Sequence, residues 1–456
     1  MRKMVVVNVV GLSQGLLGRN TPNLNRLAAS RATIEPAFPA VTCTAQTNYL
    51  TGTTPQAHGI VGNGWYFREV AEIAFWKQAD ALVQSPRLWE AARRREPSFT
   101  VANVCWWYAM YSSADYTVTP RPMYPADGRK FPDCWTHPAT LRDDLQAKLG
   151  VFPLFKFWGP MADITSTRWI VDAAVEIDRR HDPTLSLVYL PHLDYCLQKF
   201  GPADPRVGQE LKAVDAQVGR LAAHFQGRGA GVLVLSEYGI EPVSRPVHLN
   251  RTLREAGLLA VRTERGRELL DPGASDAFAV ADHQIAHVYV KDARLVEEVR
   301  RLVASVAGVG ETWAGPERLA VHLDHPRAGD VVAEAEAGSW FTYYYWLDEA
   351  RAPDFARIVD IHRKPGYDPV ELFVDAKLKT PALSIGRRLV MRKMGFRQLL
   401  DVISTDASLV RGSHGRRPSS SDARPVLLSS LAHTRGEANL ASTEIYDCIL
   451  RHLDLA

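Results

Sequence analysis

Short, unbroken apolar runs recur along the chain, each closed by glycine, proline or a small polar residue. Residues 4–10 (MVVVNVV), 100–104 (TVANV), 185–190 (LSLVYL), 231–235 (GVLVL) and 425–428 (PVLL) are of this kind. Runs so short, without polar alternation and rich in β-branched side chains, predict strands buried on both faces, as in parallel sheets. Between them the apolar spacing lengthens to a helical period. Leu24, Leu27 and Ala28 follow a Thr21-Pro22 start, residues 169–178 continue the pattern, and Leu211, Val214, Val218, Leu221 and Ala222 share one face over 205–225. Strands alternating with helices predict an α/β fold, with a mostly parallel sheet sandwiched by helices.

Two stretches break this rhythm and read as inserted cap segments. Residues 64–160 are rich in Trp, Tyr and Pro (Trp65-Tyr66, Trp76, Trp106-Trp107-Tyr108, then FPLFKFWGP), and residues 348–400 carry IHRKPGYDP and the basic run IGRRLVMRKMGFR. The expected division is therefore 1–63 (core start), 64–160 (aromatic insertion over the site), 161–347 (core continuation), 348–400 (second insertion) and 401–456 (core end). Within 161–347, residues 278–290 (FAVADHQIAHVYV) read as a strand pair holding Asp282, His283 and His287, and 319–346 as further strands. The aromatics serve either as packing or as a wall against an apolar or nucleobase group. The basic run reads as a solvated helix, with a membrane-surface helix the alternative.

Residues 38–63, FPAVTCTAQTNYLTGTTPQAHGIVGN, concentrate the candidate chemistry. An apolar approach turns at Thr42-Cys43-Thr44 into a short helical run, 45–50, that breaks at Thr51-Gly52. A hydroxyl in the N-cap zone either caps the helix or sits where unpaired N–H groups and the helix dipole favour an anion or alkoxide. Phe38-Pro39, Thr42, Thr51-Gly52, Pro55, His58-Gly59-Ile60 and Asn63 resemble, in order and spacing, the nucleophile region of type I phosphodiesterases and nucleotide pyrophosphatases. These belong to the alkaline phosphatase superfamily, together with phosphonoacetate hydrolase. The resemblance implies an alkaline-phosphatase-like fold, Thr42 as nucleophile, and Asn63 as the amide that bonds a phosphoryl oxygen.

It also implies two divalent metal ions, usually zinc, and the ligand positions are only partly filled. The family's first strand ends in an Asp where this chain has Val10, and Asn8 lies about two residues, or ~7 Å, back along the strand. Asp194 matches a ligand, but the His four residues later is Gln198. The pattern Ser-Asp-His-Gly appears as Ser236-Glu237-Tyr238-Gly239, which keeps a carboxylate and loses an imidazole. Gly412-Ser413-His414-Gly415 resembles the last ligand motif, with His362 as runner-up. The expectation is a rebuilt site, Asp194, Glu237 and His414, holding fewer than two tightly bound ions.

Composition narrows the classes further. The 456 residues are 46% hydrophobic and 23% charged with a net charge of +3, which is ordinary for a globular protein and gives no sign of a nucleic-acid polymer as partner. Five cysteines without metal-type spacing (Cys43, Cys105, Cys134, Cys196, Cys448) point to reduced thiols and a cytoplasmic location. The apolar run at 4–10 is too short for a signal peptide, and a transmembrane segment is not expected. Substrate and oligomeric state leave no trace in the sequence. Two functions are consistent with it. One is a hydrolase of small phosphate or phosphonate esters using Thr42. The other is a non-catalytic descendant binding a phosphate-bearing ligand or a protein partner.

Overall fold

The computed structural model describes residues 1–455 apart from 127–128, 379–385, 389, 392–393, 397–398 and 433–438, so part of the basic run at 385–397 lies outside the described residues. Met4–Val9, Leu185–Leu190 and Gly231–Leu235 are strands buried at every position. They lie side by side and parallel, with Met4–Val9 in the middle. They form the centre of a nine-stranded sheet in the order Asn439–Ala441, Ser30–Glu35, Val426–Ser429, Gly231–Leu235, Met4–Val9, Leu185–Leu190, Val101–Val104, Tyr116–Pro120, Cys134–His137. Val426–Ser429 and Cys134–His137 run antiparallel to their neighbours and the rest are parallel to the centre.

Helices flank the sheet. Ile164–His181 and Val207–Gly227 pack on each other, and Thr42–Thr51 packs against Ile445–His452. The apolar faces of these helices meet Val5, Val7, Leu187 and Leu233 in one continuous core. The strand pair expected over 278–290 is present as Ala277–Asp282 and Ile285–Val290, and it extends through Val331–Ala335 and Val309–Ala314 into a separate four-stranded antiparallel sheet. That sheet has its own apolar cluster, with Val280, Val288 and Trp340 at its heart.

Parallel central strands end at one edge of the sheet, the place where open α/β folds gather functional side chains. Asp194 lies in the first turn of His192–Phe200, just past one central strand, and Glu237 and Tyr238 follow another directly. The second sheet brings Asp282 and His283 to the same place, so the candidate site lies where the two sheets meet.

Candidate active site

Thr42 is the first residue of the helix Thr42–Thr51, and the cap position belongs to Val41, which is extended. The expected capping role is therefore not its own. Its side chain is 3% exposed and its Oγ1 lies 3.0 Å from the Tyr238 hydroxyl. Tyr238 in turn donates to Asp194 Oδ1 at 3.2 Å, while Gln198 Nε2 donates to Asp194 Oδ2 at 2.7 Å. Gln198 Oε1 accepts from the Tyr367 hydroxyl at 3.0 Å.

Asn63 is held as firmly. Its Oδ1 accepts from the Cys43 N–H at 3.0 Å, and its backbone N–H and Nδ2 both donate to Asp282, at 2.8 and 3.1 Å. The first contact ties it to the residue after Thr42. His283 Nδ1 bonds the same carboxylate at 2.7 Å. His283 also stacks on Tyr367 on one side and lies 3.8 Å from His414 on the other, and His414 stacks on Tyr238 with ring centroids 3.5 Å apart. His287 faces away: it bonds the Val61 carbonyl and accepts from the Gly329 N–H, a satisfied structural pair.

Glu237 is fully buried. Its Oε1 accepts from Asn8 Nδ2 at 2.5 Å and Gln46 Nε2 at 2.7 Å. Asn8 thus reaches the site from two residues back along its strand, because residues 8 and 10 project on the same side. Burial pushes the Glu237 carboxyl up to about 8, against the pull of the Gln46, Asn8 and Thr42 hydrogen bonds. Burial likewise raises Asp194 to about 7, opposed by Gln198 and Tyr238. Neither carboxyl has a Lys or Arg among the described groups that act on it. His414 is held well below its ordinary value, first by burial and then by His283, and is neutral.

Whether these residues suit a divalent ion depends on their donor set. His414 Nδ1–H donates to the Ala40 carbonyl at 2.8 Å, so Nε2 carries a bare lone pair, and it faces Asp194 Oδ1 at 3.7 Å. A ring nitrogen anchored to a carbonyl with the other turned inward is how metal-binding histidines are held. Glu237 does not join this pair, and among the described residues no three His, Cys, Asp or Glu side chains gather to hold an ion. The expected set Asp194, Glu237 and His414 closes only as two. His362, the runner-up, bonds the Phe75 carbonyl at 3.4 Å. A two-ion centre does not fit these residues.

The sequence did not single out Gln46 or Tyr367, set Asn8 aside as lying too far back along its strand, and offered Asp282 and His283 only as neighbours in a strand pair. Only Asp282-His283 left a signal, as a cluster of titratable groups. The other three are polar residues among many.

The mostly parallel sheet flanked by helices is an alkaline-phosphatase-like fold, and solved structures share it. Murine ectonucleotide pyrophosphatase/phosphodiesterase 5 superposes with a TM-score of 0.61 at 14% identity, covering 100% of this chain and 96% of that one. It is also known as an inactive threonine-to-alanine variant in complex with AMP. Phosphonoacetate hydrolase from Sinorhizobium meliloti 1021, in complex with phosphonoformate, gives a TM-score of 0.63 at 15% identity over 98% and 95% of the two chains. At such identities the likeness is one of fold. The family follows from the sequence match: the chain belongs to the type I phosphodiesterase/nucleotide pyrophosphatase family, whose model matches residues 4–368. An uncharacterized pyrophosphatase/phosphodiesterase of Schizosaccharomyces pombe is 26% identical over 257 residues, which are 53% of this chain but only 45% of that relative's length.

Proposed function

We propose that the chain hydrolyses small phosphoric or phosphonic esters, with Thr42 as nucleophile. The observation that supports this reading most is the line from Thr42 Oγ1 through the Tyr238 hydroxyl to Asp194 Oδ1, with contacts of 3.0 and 3.2 Å, at the amino end of a helix. As the Thr42 oxygen bonds phosphorus and the ester oxygen leaves, the threonine proton passes to Tyr238 and the phenolic proton to ionised Asp194. Water then attacks phosphorus and breaks the bond to the Thr42 oxygen, which takes back the proton from Asp194 through Tyr238, while a proton of the water goes to the alkoxide released in the first step. The helix amino end and the second amide hydrogen of Asn63 are suited to the non-bridging oxygens. A threonine is also the residue whose change to alanine marks the inactive murine relative bound to AMP. The substrate is a small molecule rather than a nucleic-acid polymer, and the location is cytoplasmic. No described helix is long and apolar enough to cross a membrane.

One observation favours a second reading. Asp194 and Glu237 share a buried cleft in which no described basic side chain acts on either, so a phosphate would bring more negative charge without a counter-charge. In that case the pocket binds a phosphate-bearing ligand or a protein partner without turnover. Assays with an activated phosphomonoester and an activated phosphodiester separate the two. Turnover by the parent that vanishes in Thr42→Ala and survives in part in Thr42→Ser establishes the hydrolase. Equal turnover by parent and Thr42→Ala removes Thr42 from the mechanism. A parent that binds AMP saturably and turns over neither ester is a binder.

A further inference from the structure

We propose that Tyr238 replaces the metal ion beside the nucleophile, so that the chain is built to stand without a tightly bound divalent cation. The proposal rests on the reading of the Thr42 cleft as the ester site for its location, not for its activity. By the family resemblance, residue 238 is a ligand of one ion and residue 194 of the other. Here a single oxygen, the Tyr238 hydroxyl, bonds both Thr42 Oγ1 at 3.0 Å and Asp194 Oδ1 at 3.2 Å. A hydroxyl placed between nucleophile and carboxylate occupies the ground an ion would need.

The other vacated positions are filled in the same sense. A cation satisfies buried carboxylates with charge, whereas here hydrogen donors reach both oxygens of Asp194 and one of Glu237, whose Oε2 has no partner among the described residues. Gln198, at the lost histidine position, aims its N–H at Asp194, and its own oxygen is taken by Tyr367. Asn8 and Gln46 aim two more N–H groups at one oxygen of Glu237. Val10, at the lost aspartate position, is fully buried and offers no donor. Three amides and a phenol thus stand where positive charge would be expected.

The phenol is also fixed. Tyr238 is 2% exposed, and its ring lies nearly parallel to that of His414, 3.5 Å away and 7° off coplanar. Swinging it aside to admit an ion would break that stack and both hydroxyl bonds. Among the described residues His414 Nε2 and Asp194 Oδ1 face each other, and two donors alone make a weak site.

The test is metal content and thermal stability of the full chain, purified without chelator and then dialysed against zinc. The parent is expected to retain less than about 0.1 zinc per chain and to melt at the same temperature with and without EDTA. Tyr238→His removes the phenol from between Thr42 and Asp194 and puts an imidazole in its place, and it is expected to take up about one zinc per chain, with a melting temperature that EDTA lowers. Near-stoichiometric metal in the parent, or EDTA-sensitive melting of it, overturns the proposal. So does a folded Tyr238→His that binds no more zinc than the parent. Should that variant fail to fold, the parent's metal content and EDTA response decide alone. Metal in the parent would leave Thr42-dependent hydrolysis standing, and loss of Thr42 dependence would leave the metal result standing.

Discussion

At the scale of single residues, the two site carboxyls make the protein sensitive to pH. Glu237 is pushed up to about 8 and Asp194 to about 7, both by burial, whereas in the unfolded chain each titrates near 4. The folded state therefore holds protons that the unfolded state has already released. Stability from these groups is fully present below pH ~4 and is lost as pH rises through the folded values. The melting temperature is expected to fall by a few degrees between about pH 5 and pH 9. Glu237→Gln keeps an oxygen for Asn8 and Gln46 but cannot ionise, so its decline should be shallower and its melting point at pH 9 higher than the parent's. Parallel curves for the two proteins would show that Glu237 does not titrate as described. Catalysis has the opposite sign. Asp194 accepts a proton only when ionised, so kcat/KM should rise as pH passes about 7, and Asp194→Asn should abolish that rise together with most of the rate.

Among the elements, the turn after Gly231–Leu235 has the least room. It carries Glu237 and Tyr238 into the site and then bridges at Gly239 to Gly11. A Cβ on Gly239 would sit 2.0 Å from the Ala423 carbonyl oxygen, which belongs to backbone and cannot rotate away. Gly239→Ala is expected to cost about 3 kcal/mol or more, or to leave the protein insoluble, through backbone displacement. Gly227, the last residue of Val207–Gly227, makes the control, because a Cβ there meets nothing within 4 Å. Gly227→Ala should be neutral or stabilising by a few tenths of a kcal/mol. Urea melts of the two variants check the contrast, and a Gly239→Ala protein as stable as the parent would mean that the turn is not packed against residue 423.

For the whole molecule, a buried ion triad within 364–371 anchors this stretch of chain next to the site. Lys364 Nζ lies 2.7 Å from both Asp368 and Glu371, with all three side chains at most 2% exposed. Glu371 also accepts from Trp158 Nε1, which comes from the aromatic stretch. Trp158 and Tyr367 are in ring contact, and Tyr367 bonds Gln198, so this fastening leads directly to the site. Lys364→Met leaves two buried carboxylates facing each other and is expected to cost about 3–5 kcal/mol. It should also speed proteolysis within 348–375. Unchanged melting and unchanged proteolysis would show that the triad contributes nothing to holding residues 348–375 in place.

Local pattern was enough to reveal the frame. The runs at 185–190 and 231–235 became strands with those same limits because burial on both faces leaves an uninterrupted apolar signature. The threonine at the head of its helix was likewise legible, since the motif from Phe38 to Asn63 is contiguous. Set against the family resemblance, the sequence also shows which expected ligand positions hold other residues (Val10, Gln198, Tyr238), as identity is a property of one position. What the site residues meet was decided only by tertiary structure. Tyr238 meets Thr42 across 196 residues and Asp282 meets Asn63 across 219, and Gln198 meets Tyr367 across 169. Such contacts leave no period or spacing in the chain. A hydrogen bond depends on where two distant backbones bring their side chains, and only the folded chain brings these together.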